Sequence, residues 1–228
     1  MLHESTKTTL LIVAALFPLL NPPAVGLIVL GMMPNLSTAE RAALASRIAI
    51  NSLVLLLAAL SVGAYVLAFF GISIPVLRVA GGIIIAAAGW RLLESPGDTN
   101  AQREAEPMDR AVRAAALASR AFYPLTLPLT VGPGAIAVAI AIGSGTPRGG
   151  PAVTHVIGVA VALVLLAASL YVCVRFAGTL QRLLGVVGTQ VAMRLFAFII
   201  FCIGIQLLWL GASELLGIGK ATPLVGGS

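Results

Sequence analysis

Five long stretches of this sequence contain no Asp, Glu, Lys or Arg, and they constrain the fold more than any single motif. They cover residues 8–39, 48–77, 121–147, 149–174 and 195–213. Each is about as long as the roughly 20 residues that a helix needs to cross the bilayer hydrocarbon. A soluble core helix would show a polar stripe, and these stretches show none. An all-α integral membrane protein is therefore predicted.

Six spans are predicted, with approximate limits 8–33, 45–69, 74–94, 121–143, 151–177 and 189–215. The third span includes Arg78 and Arg91, and it is long enough only if both side chains snorkel to opposite interfaces. Hydrophobic residues make up 59% of the chain and charged residues 10%, which leaves little mass outside the bilayer. Ser37 and Glu40 have the spacing of a capping box, so the second helix is predicted to begin near Thr38.

The two halves of the chain repeat one arrangement of helix breakers. An Asn-Pro-Pro sequence at 21–23 interrupts the first span, and a Gly-Pro-Gly sequence at 132–134 interrupts the fourth. Because each half has three spans, the second half must enter the bilayer from the opposite side. The sequence thus predicts two inverted three-helix repeats with broken helices 1 and 4, which is typical of secondary transporters. Taken alone, the first proline pair is also explained by a simple kink.

The predicted units are a first repeat at 1–94, a cytoplasmic linker at 95–120, a second repeat at 121–216 and a C-terminal tail at 217–228. A short interfacial helix is predicted in the linker over Arg110 to Ser119. The polar, turn-rich composition of the linker contrasts with the apolar spans on either side of it. The two repeats are therefore expected to be joined by a segment outside the bilayer.

Arginines are concentrated in the loops on one side of the predicted membrane. These are Arg41, Arg47, Arg91, Arg103, Arg110, Arg113, Arg120, Arg175 and Arg182. The opposite side has only Lys7, Arg148 and Lys220, apart from Arg78 at a helix edge. The positive-inside rule places both termini outside and the linker in the cytoplasm, which in a bacterium means the inner membrane. This bias accounts for the net charge of +6, and no nucleic-acid surface is predicted.

A small binding site is predicted where the two broken spans meet. Prolines cannot donate to the carbonyls four residues back, so carbonyls around Phe17 to Leu19 are expected to be free. Half-helices beginning after the breaks would direct amide protons at the membrane midplane. The predicted substrate contacts are Asn21, Pro22, Pro23, Thr126, Thr130, Gly132, Pro133 and Gly134.

Arg78 and Arg194 occupy matched positions in the two halves, near opposite membrane faces. Gln206 follows Arg194 by twelve residues, about three helical turns, and is predicted to act together with it. All three are predicted as gate or inter-repeat contacts, with the arginines bonded to free carbonyls of the broken spans. Snorkelling at the helix ends is the simpler alternative for the two arginines.

The titratable residues argue against several classes of function. None of the eight acidic residues lies near the centre of a span, and His155 lies near the outer end of the fifth. A proton relay or a divalent-metal carrier would normally need buried carboxylates or histidines. Cys173 and Cys202 lie within spans and resemble small apolar residues. No enzyme activity, metal site or cofactor is predicted, and coupling is expected to use sodium or no ion.

Several motifs occur in the order found in the MarC family. They are Asn21-Pro22, Leu36 to Arg41, Phe70 to Ser73, Leu77 to Gly82 and Val131 to Ile136. The sequence resembles this family over nearly all six spans. It departs from the family pattern at Ala24, where glycine is usual, and at Arg91, where an acidic residue is often found. The family is grouped with LysE-like exporters, and the resemblance implies transport of small neutral amino acids such as glycine and alanine.

The sequence thus predicts an inner-membrane transporter of small neutral amino acids that works by alternating access. An exporter of larger amphipathic compounds is one alternative, although only 6% of residues are aromatic. A membrane scaffold without a substrate, whose kinks serve only assembly, is another. The exact substrate, the direction of transport, the coupling ion and any association into a homo-oligomer are left open by the sequence.

Overall fold

The computed structural model describes residues 2–33, 35–94, 110–144 and 153–218, and within them all regular structure is helical. The helices are α1 (Leu2–Leu20), α2 (Pro22–Met32), α3 (Thr38–Phe69), α4 (Ile74–Glu94), α5 (Arg110–Arg120), α6 (Pro133–Ser144), α7 (Val153–Arg175) and α8 (Ala177–Leu215). The segment Ala121–Thr130 is wound into wide π-type turns between α5 and α6. Residues 95–109 of the predicted linker and 219–228 of the predicted tail lie outside the described residues.

Five helical stretches are long and apolar enough to cross a membrane. They are Ser5–Met32, Thr38–Phe69, Ile74–Glu94, Val153–Arg175 and Val187–Leu215. A sixth span is obtained if Ala115–Thr130 and Pro133–Ser144, which meet at an angle of 68°, are taken together. The sequence prediction of an all-α membrane protein is therefore confirmed. The predicted limits of the third, fifth and sixth spans agree with these stretches to within two residues, whereas the second and fourth spans begin seven and six residues earlier than predicted.

The start of α3 follows from the capping box predicted in the sequence. The backbone N–H of Glu40 donates to Ser37 Oγ at 3.2 Å, and the backbone N–H of Ser37 donates to a carboxylate oxygen of Glu40 at 2.9 Å. Both bonds satisfy amide groups that a helix leaves without an internal partner at its first turn. The helix begins at Thr38, as predicted.

Helices α4 and α8 form an antiparallel pair with their backbones in close contact. A Cβ added at Gly82 would lie 2.5 Å from the backbone nitrogen of Leu208, and one added at Gly89 would lie 2.5 Å from that of Phe201. No side chain fits at either position unless the helices separate. This pair joins the first half of the chain to the second along most of the length of α4.

Two apolar clusters, stacked along the helix axes, form the core. One contains Leu16, Leu20, Leu56, Val131 and Leu166, and we call it the first cluster. The other contains Val25, Ile48, Leu125, Leu170 and Val174, and we call it the arginine-side cluster. The second name refers to the ends of α3 and α7 nearest to it, which have Arg41 and Arg175. The level between the clusters contains the candidate site.

Candidate functional site between the two core clusters

Four polar side chains are buried in the described part of the chain. Asn21 is 6% exposed, Ser52 and Thr130 are each 1% exposed, and Thr126 is fully buried. Each is flanked along the chain by one residue from each apolar cluster. The flanking pairs are Leu20 and Val25, Ile48 and Leu56, and Leu125 and Val131. The four residues therefore occupy one level, which we call the polar layer.

Three elements supply the polar layer, and the Ala121–Thr130 segment contacts both of the others. The Ala121–Thr130 segment, which holds Thr126 and Thr130, packs against α3 and against α2. Ser52 lies near the middle of α3, and Asn21 lies directly before α2. The structure thus brings Asn21, Thr126 and Thr130, all predicted from sequence, to the same depth of the bundle.

Asn21 forms the junction between α1 and α2 in a left-handed conformation, with φ 44° and ψ 61°. Among the described residues it is the non-glycine residue with positive φ. Asparagine tolerates this region better than most residues because its short side chain bonds to nearby backbone. Here Asn21 Oδ1 accepts a hydrogen bond from the backbone N–H of Ala24 at 3.3 Å. The side chain therefore caps α2, and its amide nitrogen remains as a donor.

The prediction of a free carbonyl at Phe17 is wrong. The backbone N–H of Asn21 donates to the Phe17 carbonyl at 2.9 Å, so the helical bond to that carbonyl is intact. Pro22 and Pro23 have no N–H, so it is the carbonyls of Pro18 and Leu19, four residues back, that lose a helical partner. The break therefore begins one residue later than the sequence suggested.

The second break extends over more residues. Tyr123 and Leu127 have extended backbone angles, with ψ of 124° and 127°, because each precedes a proline. Thr126 Oγ1 donates to the Ala121 carbonyl at 2.6 Å, and Thr130 Oγ1 donates to the Leu125 carbonyl at 2.7 Å. Each hydroxyl has used its single proton, so both threonine oxygens are left as acceptors.

The remaining predicted contacts of the second break differ in their environments. Gly134 is buried, and a Cβ added there would collide with the side chain of Ile85 in α4. Pro133 is exposed, and Gly132 is partly buried. The packing of Gly134 against α4 is thus a sufficient reason for glycine at that position. In the first break, Pro22 is buried and Pro23 is partly buried.

Ser52 is the member of the polar layer that sequence reasoning did not place in the site. Its hydroxyl is buried without a hydrogen-bond partner, which costs about 1–3 kcal/mol. The sequence shows Ser52 only as one of a few polar residues within spans. Its depth becomes evident only from the structure, in which α3 begins at Thr38 and Ser52 lies near the middle of the helix. A buried hydroxyl without a partner, beside other polar groups, is where a ligand would add a hydrogen bond.

The predicted gate residues are not part of the polar layer. Arg78 forms an ion pair with Glu214 at 2.5 Å, with 31% and 48% of the two side chains exposed. This contact links α4 to α8, and the guanidinium partner is a carboxylate instead of the backbone carbonyls that the sequence suggested. Arg194 and Gln206 are both exposed on α8. Within the described ranges, no three His, Cys, Asp or Glu residues are grouped closely enough to hold a metal ion.

Comparison with known proteins agrees with this architecture. The family described as "MarC family integral membrane protein" matches residues 6–216. Inner membrane protein MarC of Salmonella typhimurium, of Citrobacter koseri and of Escherichia coli O1:K1 is in each case 34% identical over 203 residues, covering 88% of this chain and 92% of the relative. No solved structure matches. Because the family match covers almost the whole membrane-spanning region, the chain belongs to the MarC family of integral membrane proteins.

Proposed function

We propose that this protein is a secondary transporter of small neutral amino acids whose substrate binds in the polar layer. The observation that carries the proposal is the unpartnered hydroxyl of Ser52, buried at the level of Asn21, Thr126 and Thr130. Burying polar groups inside a membrane bundle is costly, and such groups usually mark a substrate or ion path. The membrane location and the family support a transport role.

The hydrogen-bonding capacities of the layer complement a zwitterion. Thr126 and Thr130 have hydroxyl oxygens left as acceptors, which suit an ammonium group or a sodium ion. Asn21 has amide N–H groups left as donors, which suit a carboxylate. Ser52 has its hydroxyl proton and its acceptor capacity unused. A cargo with one positive and one negative group, and no net charge, would satisfy all four side chains.

The layer contains no charged side chain, which favours a neutral cargo. A cargo with a net charge would be stabilised here only by the dipoles of hydroxyl and amide groups. These would not offset the high free-energy cost of removing a lone ion from water. The buried residues next to the layer along the chain are apolar, such as Leu20, Ala24 and Leu125, so they add no polar contact for a large amphipathic compound. A small amino acid such as glycine or alanine is the cargo that this level would accept.

Transport by alternating access would follow from two inverted repeats, at 1–94 and 121–216, joined by 95–120. The packing supports such a relation, because α2 contacts α7 as α6 contacts α3, while α4 pairs with its counterpart α8. We further propose that both termini are outside and that the arginine side is cytoplasmic, in the inner membrane of a bacterium. Coupling would use sodium at the threonine hydroxyls, or no ion.

The test is uptake of labelled glycine and alanine into proteoliposomes, with and without a sodium gradient. Saturable uptake that Thr130→Val abolishes, with folding retained, would support the proposal. The matched control is Ser61→Ala, which removes an exposed α3 hydroxyl bonded to the Leu57 carbonyl at 2.7 Å. Uptake that is absent from folded protein under every gradient would contradict the choice of substrate. Uptake that Thr130→Val leaves unchanged would contradict the site.

A further inference from the structure

A cavity of about 300 Å³ opens on the arginine side, where α3 begins and where α7 meets α8. Among the described residues its lining includes Arg41, Arg175 and Arg182, and it includes no acidic side chain. Its volume is at the lower end of the range for sites that hold small molecules. Three arginines lining one cavity make its electrostatic potential positive, which favours an anionic ligand.

Arg41 lies in the cavity with part of its hydrogen-bonding capacity unused. Its Nε is buried and has no hydrogen-bond partner. One terminal nitrogen of the same guanidinium is held close to α8, since a Cβ added at Gly178 would lie 3.0 Å from it. A buried donor on a charged group costs more to leave unpaired than a neutral one. An acceptor bound in the cavity would recover that cost.

Arg175 is fixed in position before any ligand arrives. One of its terminal nitrogens donates to the Thr38 carbonyl at 2.8 Å, which ties the end of α7 to the start of α3. The guanidinium carbon also lies 5.8 Å from the centroid of the Phe176 ring. Arg182 is exposed at the rim, where it can approach a ligand entering from solvent or lipid.

The start of α8 adds to the positive potential of the cavity. This helix begins at Ala177, and its preceding residue Phe176 supplies no side-chain cap. Gly178 and Thr179, in its first turn, line the cavity. The Thr179 N–H donates to the Phe176 carbonyl at 3.0 Å, so it is the Gly178 N–H, together with the helix dipole, that favours an anion at this end.

From these features we infer that the cavity is a binding site for a phosphate group, carried by an anionic lipid headgroup or by a soluble phosphate. A phosphate offers several acceptor oxygens in a compact group, which suits a cavity lined by three arginines. The cavity lies at the ends of α3 and α7, two of the helices long and apolar enough to cross a membrane. The inference is independent of the transported substrate, because the site is separated from the polar layer by the arginine-side cluster.

The test uses the purified full-length protein in neutral detergent and native mass spectrometry. Phosphatidylglycerol and phosphatidylcholine are added separately, and sodium phosphate is used as a competitor and as a direct ligand. The variants are Arg41→Gln and Arg182→Gln. The matched control is Arg47→Gln, which removes an exposed arginine from the same helix as Arg41. Circular dichroism and a thermal melt check that each variant is folded, and the exposed position of Arg182 makes its variant the safer one.

We expect the wild type to retain phosphatidylglycerol in preference to phosphatidylcholine, and both cavity variants to lose about tenfold or more in affinity. Arg47→Gln should bind like the wild type. If phosphate alone binds, and only when Arg41 is present, the source is a soluble anion and the inference stands. Equal binding by wild type and cavity variants, or an equal loss in Arg47→Gln, would overturn it.

Discussion

The first and fourth spans are interrupted at the same depth by different means. The first break is confined to one left-handed residue, Asn21, and Ser5–Met32 still passes as one span. The second occupies the ten residues Ala121–Thr130 and ends in a bend of 68°. Both breaks contain two prolines, but the first is completed by one asparagine with one side-chain bond, and the second by two threonine hydroxyls bonded to nearby carbonyls. The two breaks thus place polar side chains at one level of the bundle with different backbone geometries.

The largest expected difference between the halves concerns close helix contacts. A Cβ at Gly26 would lie 2.5 Å from the backbone oxygen of Cys173, whereas a Cβ at Gly134 would collide with the Ile85 side chain. Overpacking costs typically about 1–3 kcal/mol. We expect both Gly26→Ala and Gly134→Ala to lower the melting temperature in detergent. Only the second should be relieved by shortening its neighbour.

The double variant Gly134→Ala with Ile85→Ala checks this point. Because the added methyl group occupies space that the isoleucine leaves, the double variant should be more stable than the sum of the single effects predicts. No second substitution can relieve Gly26→Ala in this way, because the added methyl group would meet the backbone of Cys173 and not a side chain. Strict additivity for the pair at Gly134 would show that the two side chains do not meet.

The next effect in size concerns the left-handed junction at Asn21. Asn21→Leu places a branched side chain at φ 44° and removes the bond to Ala24, so about 2 kcal/mol of stability should be lost. Glycine adopts this backbone conformation without strain, so Asn21→Gly should lose only the stability contributed by the hydrogen bond from the Ala24 N–H. Thermal melts of the two variants would separate strain from capping. Equal losses would mean that backbone strain is not part of the first break.

A smaller effect is expected from the two threonines of the second break. Thr126→Val and Thr130→Val each remove one hydrogen bond to a carbonyl of the Ala121–Thr130 region, at a cost of about 0.5–1.5 kcal/mol. Thr→Ser at either position keeps the hydroxyl and serves as the control. If valine and serine behave alike in both melting temperature and uptake, the hydroxyls have no part in the break or the site.

Much of this architecture was predictable because it depends on local patterns. The charge-free stretches gave the span limits, and Ser37 with Glu40 gave the start of α3. The prolines located both breaks, because a missing N–H acts on carbonyls only four residues away. The Phe17 carbonyl was misjudged because Asn21 can adopt positive φ and still donate its own N–H.

The features that were missed depend on contacts between distant parts of the chain. Arg78 pairs with Glu214, 136 residues away, and no local pattern indicates that partner. The cavity lined by Arg41, Arg175 and Arg182 lies between the start of α3 and the junction of α7 and α8. Because these segments are far apart in the sequence, the sequence showed the three arginines only as loop charges. Ser52 was missed because one serine in an apolar helix is ordinarily satisfied by its own backbone.

The smallest expected change in stability, at Ser52, gives the most direct test of the account. Ser52→Ala removes a buried hydroxyl that has no partner, so the melting temperature should stay the same or rise by a few degrees. Glycine and alanine uptake by the same variant should nevertheless fall strongly, while Ser61→Ala leaves uptake unchanged. A stable Ser52→Ala protein that transports like the wild type would contradict the claim that the polar layer binds the substrate.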